Sequence, residues 1–454
     1  MTHWIRRINF KPTSLSADTR PFDSLLLVAL FALACIGIVM VGSASVAIAE
    51  KRFGNEMRYA VQQFIFMSGS LAIAWVVFHK TTLDWWREQR GTLLLIAVLL
   101  VLMTIVLGRE INGAKRWLSL GFINLQPSEF LKLVMVVFMA AYLEKNYKHH
   151  KDEHGNRDWV LEKKNYMRAV WLLALPLVPI FSMLLLQPDF GSLMVVLSLV
   201  FFMLLIAGAP LRLIIWLFPL GAIVVLVIVI EPYRMARVTS FLDPWGDPQR
   251  TGYQLTHSLM ALGRGEWFGV GLGNSVEKLF YLPDAHTDFL FAIYGEEFGF
   301  MGVFVLMSLY LFVIWRIFLI GIAASLRQRV FSAMICYGIG IWIAIQVLIN
   351  MGANLGLLPT KGLTLPLVSY GGSSLLTMMV GLALVFRIDW DNRHSPHVEV
   401  EIIETASPEL LAMRTTDHPT HDAPNAVVAP DHIAAIHTSD HHQDDSIKKK
   451  QEEH

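Results

Sequence analysis

Ten runs of apolar residues set what this chain can fold into, at about 23–45, 60–79, 91–107, 129–143, 168–186, 190–208, 211–230, 289–315, 330–349 and 371–388. Most approach the roughly 20 residues that a helix needs to cross the hydrocarbon core of a bilayer; the third and fourth are short and would tilt little or borrow flanking residues. In lipid a backbone must close its own hydrogen bonds, so each run is a helix or part of a closed barrel. Their Leu-rich continuity lacks the period-two alternation of a barrel. A soluble helical protein is disfavoured because 54% of the residues are hydrophobic and 16% charged, too little polar surface to cover the fold. The sequence therefore predicts an all-α polytopic membrane protein of about ten transmembrane helices.

Basic residues orient the spans. Arg6, Arg7, Lys11 and Arg20 precede the first run, which lacks a small-residue cleavage motif and reads as a retained span. With that end cytoplasmic, Lys80, Arg87 and Arg90, then Lys145 to Arg168, then Arg316, Arg327 and Arg329 share its side. This predicts a protein of the cytoplasmic membrane with both termini on the cytoplasmic side and the loops 108–128, 231–288 and 350–370 outside. The outside loops are themselves basic, at Lys51, Arg52, Arg58, Lys115, Arg116 and Lys361, which topology alone does not explain. Three regions follow: a cytoplasmic segment 1–22, a membrane domain 23–388, and a polar tail 389–454. The tail cannot bury enough apolar surface to order itself and is expected to be disordered. It holds nine of the 16 histidines, without the fixed spacing of a metal site. Cys35 and Cys336 both fall in apolar runs and are expected to be buried small residues rather than a disulfide or metal pair. No repeat is clear enough to support an inverted-repeat transporter.

The large polar insert 231–288, between the seventh and eighth runs, reads as a functional lid or pocket rather than a spacer. Its Gly269-Val270-Gly271-Leu272-Gly273-Asn274 has neither dinucleotide spacing nor a Gly-Lys-Ser/Thr ending, so it is no nucleotide loop. Its glycines suit tight turns or close approach to a ligand. The insert ends on His286-Thr287-Asp288, where a carboxylate at the membrane surface could be partly desolvated and take a proton from a hydroxyl. Alternatively, Thr287 or Asp288 caps the following helix.

A second outside set is Lys115-Arg116-Trp117 with Gln126-Pro127-Ser128-Glu129 and Lys132. Adjacent cations beside a tryptophan suit a lipid-borne phosphate, or ordinary interfacial anchoring. Glu129 and Lys132 share a helical face, as a local ion pair or as the polar floor of a cavity. Gln187-Pro188-Asp189, and Lys361 with Ser369 to Ser374, lie on the same side. Each set alone is weak, because Ser and Gly are common packing residues in membranes. Together they place a basic patch and a carboxylate at one membrane face.

These residues resemble the FtsW/RodA/SpoVE family of membrane-embedded peptidoglycan glycosyltransferases. The matching stretches are Asn112-Gly113-Ala114-Lys115-Arg116-Trp117, Gln126-Pro127-Ser128-Glu129, Gln187-Pro188-Asp189-Phe190-Gly191, Gly269 to Ser275, Leu282 to Phe289 and Pro366 to Ser374, in order over about 23–388. Gly-Asn-Ser-Val-Glu-Lys and the extended tails look more like the cell-division member than the elongation member. The resemblance implies ten helices and polymerisation of lipid II at the outer face of the membrane. It implies a complex with a class B penicillin-binding protein and other divisome proteins, and enrichment at the septum. By the same resemblance Asp288 is the essential acid, and Lys115, Arg116, Glu129 and Lys132 match polar positions near the cavity; with His286, Lys361, Ser369 and Ser373, which could line the same outer cavity, they are the candidate substrate-binding residues. Asp284 stands where the family more often has Glu. A divalent cation, Mg2+ or Mn2+, is implied, with no organic cofactor and no nucleic acid. A lipid II flippase and a non-catalytic divisome scaffold are the rival readings.

Overall fold

A computed structural model describes residues 22–111, 114–119, 124–146, 159–209, 241–359 and 362–394. The chain begins with α1 (Ser24–Phe53), α2 (Arg58–Lys80), the short α3 (Leu83–Glu88) and α4 (Arg90–Leu107). Three short strands follow, β1 (Arg109–Ile111), β2 (Ala114–Ser119) and β3 (Asn124–Leu125), in an antiparallel meander ordered β1-β2-β3. Then come α5 (Pro127–Asn146), α6 (Trp159–Leu186), α7 (Phe190–Ile206), α8 (Tyr253–Arg264), α9 (Leu290–Leu326), α10 (Val330–Asn354) and α11 (Gly372–His394).

Local sequence sets these boundaries. The Asp23 side chain accepts the amides of Leu25 and Leu26, both at 3.1 Å, which satisfies two orphan donors at the start of α1. Gly54 closes α1 in the left-handed region, with φ 64°. Thr82 caps α3 through Trp85 N–H at 3.2 Å. Asp189 caps α7 through Ser192 N–H at 3.2 Å.

Among the described residues six helices are long and apolar enough to cross a membrane, α1, α2, α4, α9, α10 and α11, with shorter apolar helices at Leu172–Leu186 and Phe190–Ile206. The fold is an essentially helical, multi-pass membrane architecture. α5, α10 and α11 are buried over most of their surfaces and form its centre, with Trp342 and Lys132 fully enclosed. α2 and α4 present Phe64, Ile65, Trp75, Leu95 and Val106 outward, as a lipid-facing helix does. The expected seventh run, 211–230, lies outside the described residues, as do 1–21, 231–240 and the tail from 395.

Two expectations are corrected. Cys35 is exposed on α1 rather than buried, because it falls on that helix's outward stripe with Phe31; Cys336 is buried as expected. The eighth and ninth runs extend past their expected ends, to Leu326 and Asn354, since a helix continues as long as its polar side chains find partners. At the start of α9 the cap position is Phe289, without a side-chain cap bond. Thr287 Oγ1 donates to the Asp284 carbonyl at 3.1 Å.

The turn after α8 is threaded into a break in α9. Gly299 has φ 66° and ψ −166°, a conformation open to glycine. Around it Val270 N–H and Gly271 N–H donate to the carbonyls of Glu296 and Glu297, both at 3.0 Å, and Phe300 N–H donates to Glu266 O at 2.8 Å. A Cβ at Gly299 would sit 2.3 Å from Gly269 N, so the approach needs glycine on both sides.

Candidate functional site

The polar sets meet at one end of the helix bundle, where α1 ends and α2 begins, α4 ends and α5 begins, α6 ends and α7 begins, α10 ends and α11 begins. Ser128 Oγ donates to Asp189 Oδ2 at 2.8 Å, joining the α5 start to the α6–α7 turn. Ser373 Oγ accepts from Gln126 N–H at 3.1 Å and donates to the Asn124 carbonyl at 3.2 Å, joining β3 to the start of α11. Ser369 Oγ accepts from Leu365 N–H at 3.0 Å, closing the turn before α11. Ser369 and Ser373 are both buried, so they shape the floor through hydrogen bonds.

β2 carries the two cations. Strand alternation puts Lys115 outward and exposed while Arg116 turns inward and is half-buried. Arg116 Nε donates to Gln187 O at 3.4 Å and its Nη2 to Pro188 O. Gln187 is in turn fixed by its amide donating to Val101 O at 2.7 Å. The positive charge is thereby held over the α6–α7 turn. Across from it stands Asp288. The position a Cβ would take at Gly362 lies 3.1 Å from Asp288 Oδ2 and 3.9 Å from Arg116 Nη1. Carboxylate and guanidinium thus converge on one glycine that has no side chain to separate them.

His286 lies against the rings of Tyr59 and Tyr370, with centroids 4.8 Å and 5.7 Å away. Its carbonyl accepts Tyr370 N–H at 3.1 Å, and its Nδ1 is buried without a hydrogen-bond partner among the described residues. Burial lowers the imidazole's pKa below its usual value, helped by Arg52 and opposed by Asp284, so the ring is held neutral. Burial pushes the Tyr370 phenol up to about 12, and it donates to Gln62 Oε1 at 3.1 Å.

Glu129 and Lys132 form the ion pair, at 2.7 Å, with side chains 4% and 0% exposed. Both lie beneath the surface of the site. Lys132 Nζ also donates to Gln346 Oε1 at 3.3 Å, and Trp342 Nε1 donates to the same oxygen at 2.8 Å. Lys361 lies outside the described residues.

The sequence reading passed over two groups. Asn350 and Asn354 on α10 both donate to the Asp288 carbonyl, at 2.9 Å and 3.1 Å. Glu296 and Glu297 are buried near the start of α9: Glu297 Oε1 lies 2.9 Å from Lys278 Nζ and 2.7 Å from Ser43 Oγ, and Glu296 accepts Ser275 Oγ and Val276 N–H. Together they pin the insert to α1 and α9. Two adjacent carboxylates inside an apolar run were the available signal, because an ionisable group there must be partnered.

Among the described residues no three His, Cys, Asp or Glu come together in a way that could hold a metal ion.

Comparison with known proteins places this arrangement. The chain is 50% identical over 376 residues to the probable peptidoglycan glycosyltransferase FtsW of Hydrogenovibrio crunogenus, which covers 83% of this chain and 93% of that one. It is 45% identical to the protein of the same description from Nitrosococcus halophilus, over 84% of this chain and 95% of that one. Among solved structures it resembles a chain of a peptidoglycan synthase complex that coordinates polymerization and crosslinking, at 29% identity and TM-score 0.64, over 82% of this chain and 99% of that chain. The Thermus thermophilus rod shape determining protein RodA is similar at 28% identity and TM-score 0.58, over 83% and 98%. The sequence profile described as FTSW_RODA_SPOVE, cell cycle protein, matches residues 23–394, which span every element of the site, and the chain belongs to that family.

Proposed function

We propose that this chain is a peptidoglycan glycosyltransferase that polymerises lipid II into β-1,4 glycan strands at the division septum, releasing undecaprenyl pyrophosphate. The observation that supports the residue assignment is the convergence of Asp288 Oδ2 and Arg116 Nη1 on Gly362. Asp288 takes the proton of the acceptor GlcNAc 4-hydroxyl. That oxygen forms a bond to the anomeric MurNAc carbon while the bond from that carbon to the pyrophosphate oxygen breaks, with inversion. Negative charge builds on the departing pyrophosphate, and Arg116, with Lys115 behind it, is placed to stabilise that charge.

Neutral His286 and the Tyr59 and Tyr370 rings give the site an apolar, polar-tipped wall suited to a sugar face. Glu129, Lys132, Ser369 and Ser373 serve the substrate from below, by holding the floor. Lys361 is a further candidate cation for the phosphates, from its place in the sequence among the outside polar residues.

Mg2+ is usually held by one or two carboxylates and substrate phosphates rather than by a protein cage. A divalent cation would here use Asp288 and the pyrophosphate oxygens, and would supply charge neutralisation. No step above is routed through it.

The reading places ten spans in the membrane, the seventh at 211–230, both termini in the cytoplasm and the site on the opposite face. It also assigns a class B penicillin-binding protein as the crosslinking partner within the divisome.

The test is polymerisation of purified lipid II by the full chain with its transpeptidase partner, wild type against Asp288→Asn. The expected result is a folded variant that makes no glycan. Retention of most polymerisation would remove Asp288 from the base role. Translocation of labelled lipid II without glycan product would favour a flippase, and full complementation of division by Asp288→Asn a scaffold.

A further inference from the structure

Three amides on α10 stand four residues apart, Gln346, Asn350 and Asn354, and so line one face of the helix. Each is buried, and each turns its NH2 to a backbone carbonyl of the non-helical segments at the site. Gln346 Nε2 donates to Thr364 O at 2.9 Å. Asn350 Nδ2 donates to Leu363 O at 2.6 Å and to Asp288 O at 2.9 Å. Asn354 Nδ2 donates to Asp288 O at 3.1 Å. Two of the amide orientations follow from the opposite ends: Gln346 Oε1 accepts from Trp342 and Lys132, and Asn354 Oδ1 faces Ser258 Oγ at 3.4 Å; Asn350 is oriented by its two NH2 bonds.

We infer that Gln346, Asn350 and Asn354 form a positioning ladder that sets Asp288 in register with the non-helical segment carrying Gly362, and so sets the carboxylate against Arg116. The inference rests on the catalytic reading of Asp288 above. The carbonyls of Leu363, Thr364 and Asp288 lie in segments with no helix or sheet of their own to supply donors. Buried away from water, such backbone persists only where protein satisfies it. One donor would be enough for that. Asn350 instead bridges two segments with one nitrogen, and the Asp288 carbonyl takes two donors, so the link fixes a distance between segments as well as burying them. Displacing a reacting group by about 1 Å costs on the order of a hundredfold in rate. Because the ladder never touches substrate, its loss should fall on turnover rather than on binding.

The experiment measures kcat and KM for lipid II polymerisation by the full chain with its transpeptidase partner, for wild type, Asn350→Ala, Asn354→Ala and Asp288→Asn, with thermal midpoints in detergent. The expected result is a fall in kcat of at least about tenfold in each alanine variant with KM held within about threefold, in protein that remains folded. Wild-type kcat in a folded Asn350→Ala and a folded Asn354→Ala overturns the ladder, as does a rise in KM that matches the loss in kcat/KM. If Asn350→Ala does not fold, Asn354→Ala carries the test alone, since it leaves the Leu363 bond intact; failure of both to fold reduces the ladder to a structural support and also overturns it. Activity in Asp288→Asn would instead overturn the catalytic reading, a separate outcome.

Discussion

Ser128 Oγ donates to Asp189 Oδ2 at 2.8 Å, and the same carboxylate's other oxygen caps α7 through Ser192 N–H at 3.2 Å. One aspartate thus joins two stretches 61 residues apart in the chain and starts a helix. Asp189→Ala loses both bonds and leaves the buried Ser128 O–H without its acceptor, for a cost of about 2 kcal/mol. Ser128→Ala loses the Asp189 bond and the one its oxygen accepts from Gln126 Nε2 at 3.2 Å but keeps the α7 cap, at about 1 kcal/mol. Thermal midpoints in detergent should rank the two in that order; equal midpoints would break the link.

The Glu129–Lys132 pair is enclosed, so removing one partner leaves a charge in a low-dielectric interior. Lys132→Met should destabilise by about 3 kcal/mol, and the double variant with Glu129→Gln should recover part of that loss. A denaturation series on the two variants checks it. Additive losses would mean that the pair is screened.

Gly362 has open backbone but a crowded Cβ position, 3.1 Å from Asp288 Oδ2. Gly362→Ala should push the carboxylate by a few tenths of an ångström and cut turnover roughly tenfold, with the thermal midpoint within about 1 °C of wild type. Unchanged turnover would show that Asp288 has room to yield.

His286 is held neutral by burial, its folded pKa lying below the unfolded 6.5. The unfolded chain therefore binds the proton more readily. The contribution to stability is full above about pH 6.5 and is lost as the pH falls through the lowered folded pKa. Stability measured from pH 7.5 to 5 should decline in wild type and decline less in His286→Gln. Parallel curves would assign the acid sensitivity elsewhere.

Arg116 combines charge with a fork that holds the carbonyls of Gln187 and Pro188. Arg116→Lys keeps the charge but loses the fork, and should retain more donor-strand binding than Arg116→Ala while losing a comparable amount of turnover. Equal binding in both variants would place the charge outside the phosphate site.

The sequence by itself determined that this chain lives in a bilayer, and where most of its helices run, because apolar length and the need for internal hydrogen bonds leave few alternatives. It also predicted that Asp288, Arg116, Gln126 to Glu129, Gln187 to Asp189 and Ser369 to Ser374 share one side, since alternate ends of successive spans do. Which of these touch was decided only by tertiary structure. The inward turn of Arg116, and its meeting with Asp288 at Gly362, depend on how β2 and the segment 362–365 pack. Asn350 and Asn354 escaped the sequence reading because the ninth run was expected to end at 349, which left both in a loop; the helix runs on to Asn354 because the carbonyls of Asp288 and Leu363 supply the partners that keep two amides buried. Periodicity reports the environment of a helix face, whereas a donor's acceptor some 60 residues away in the chain is fixed only when the segments pack.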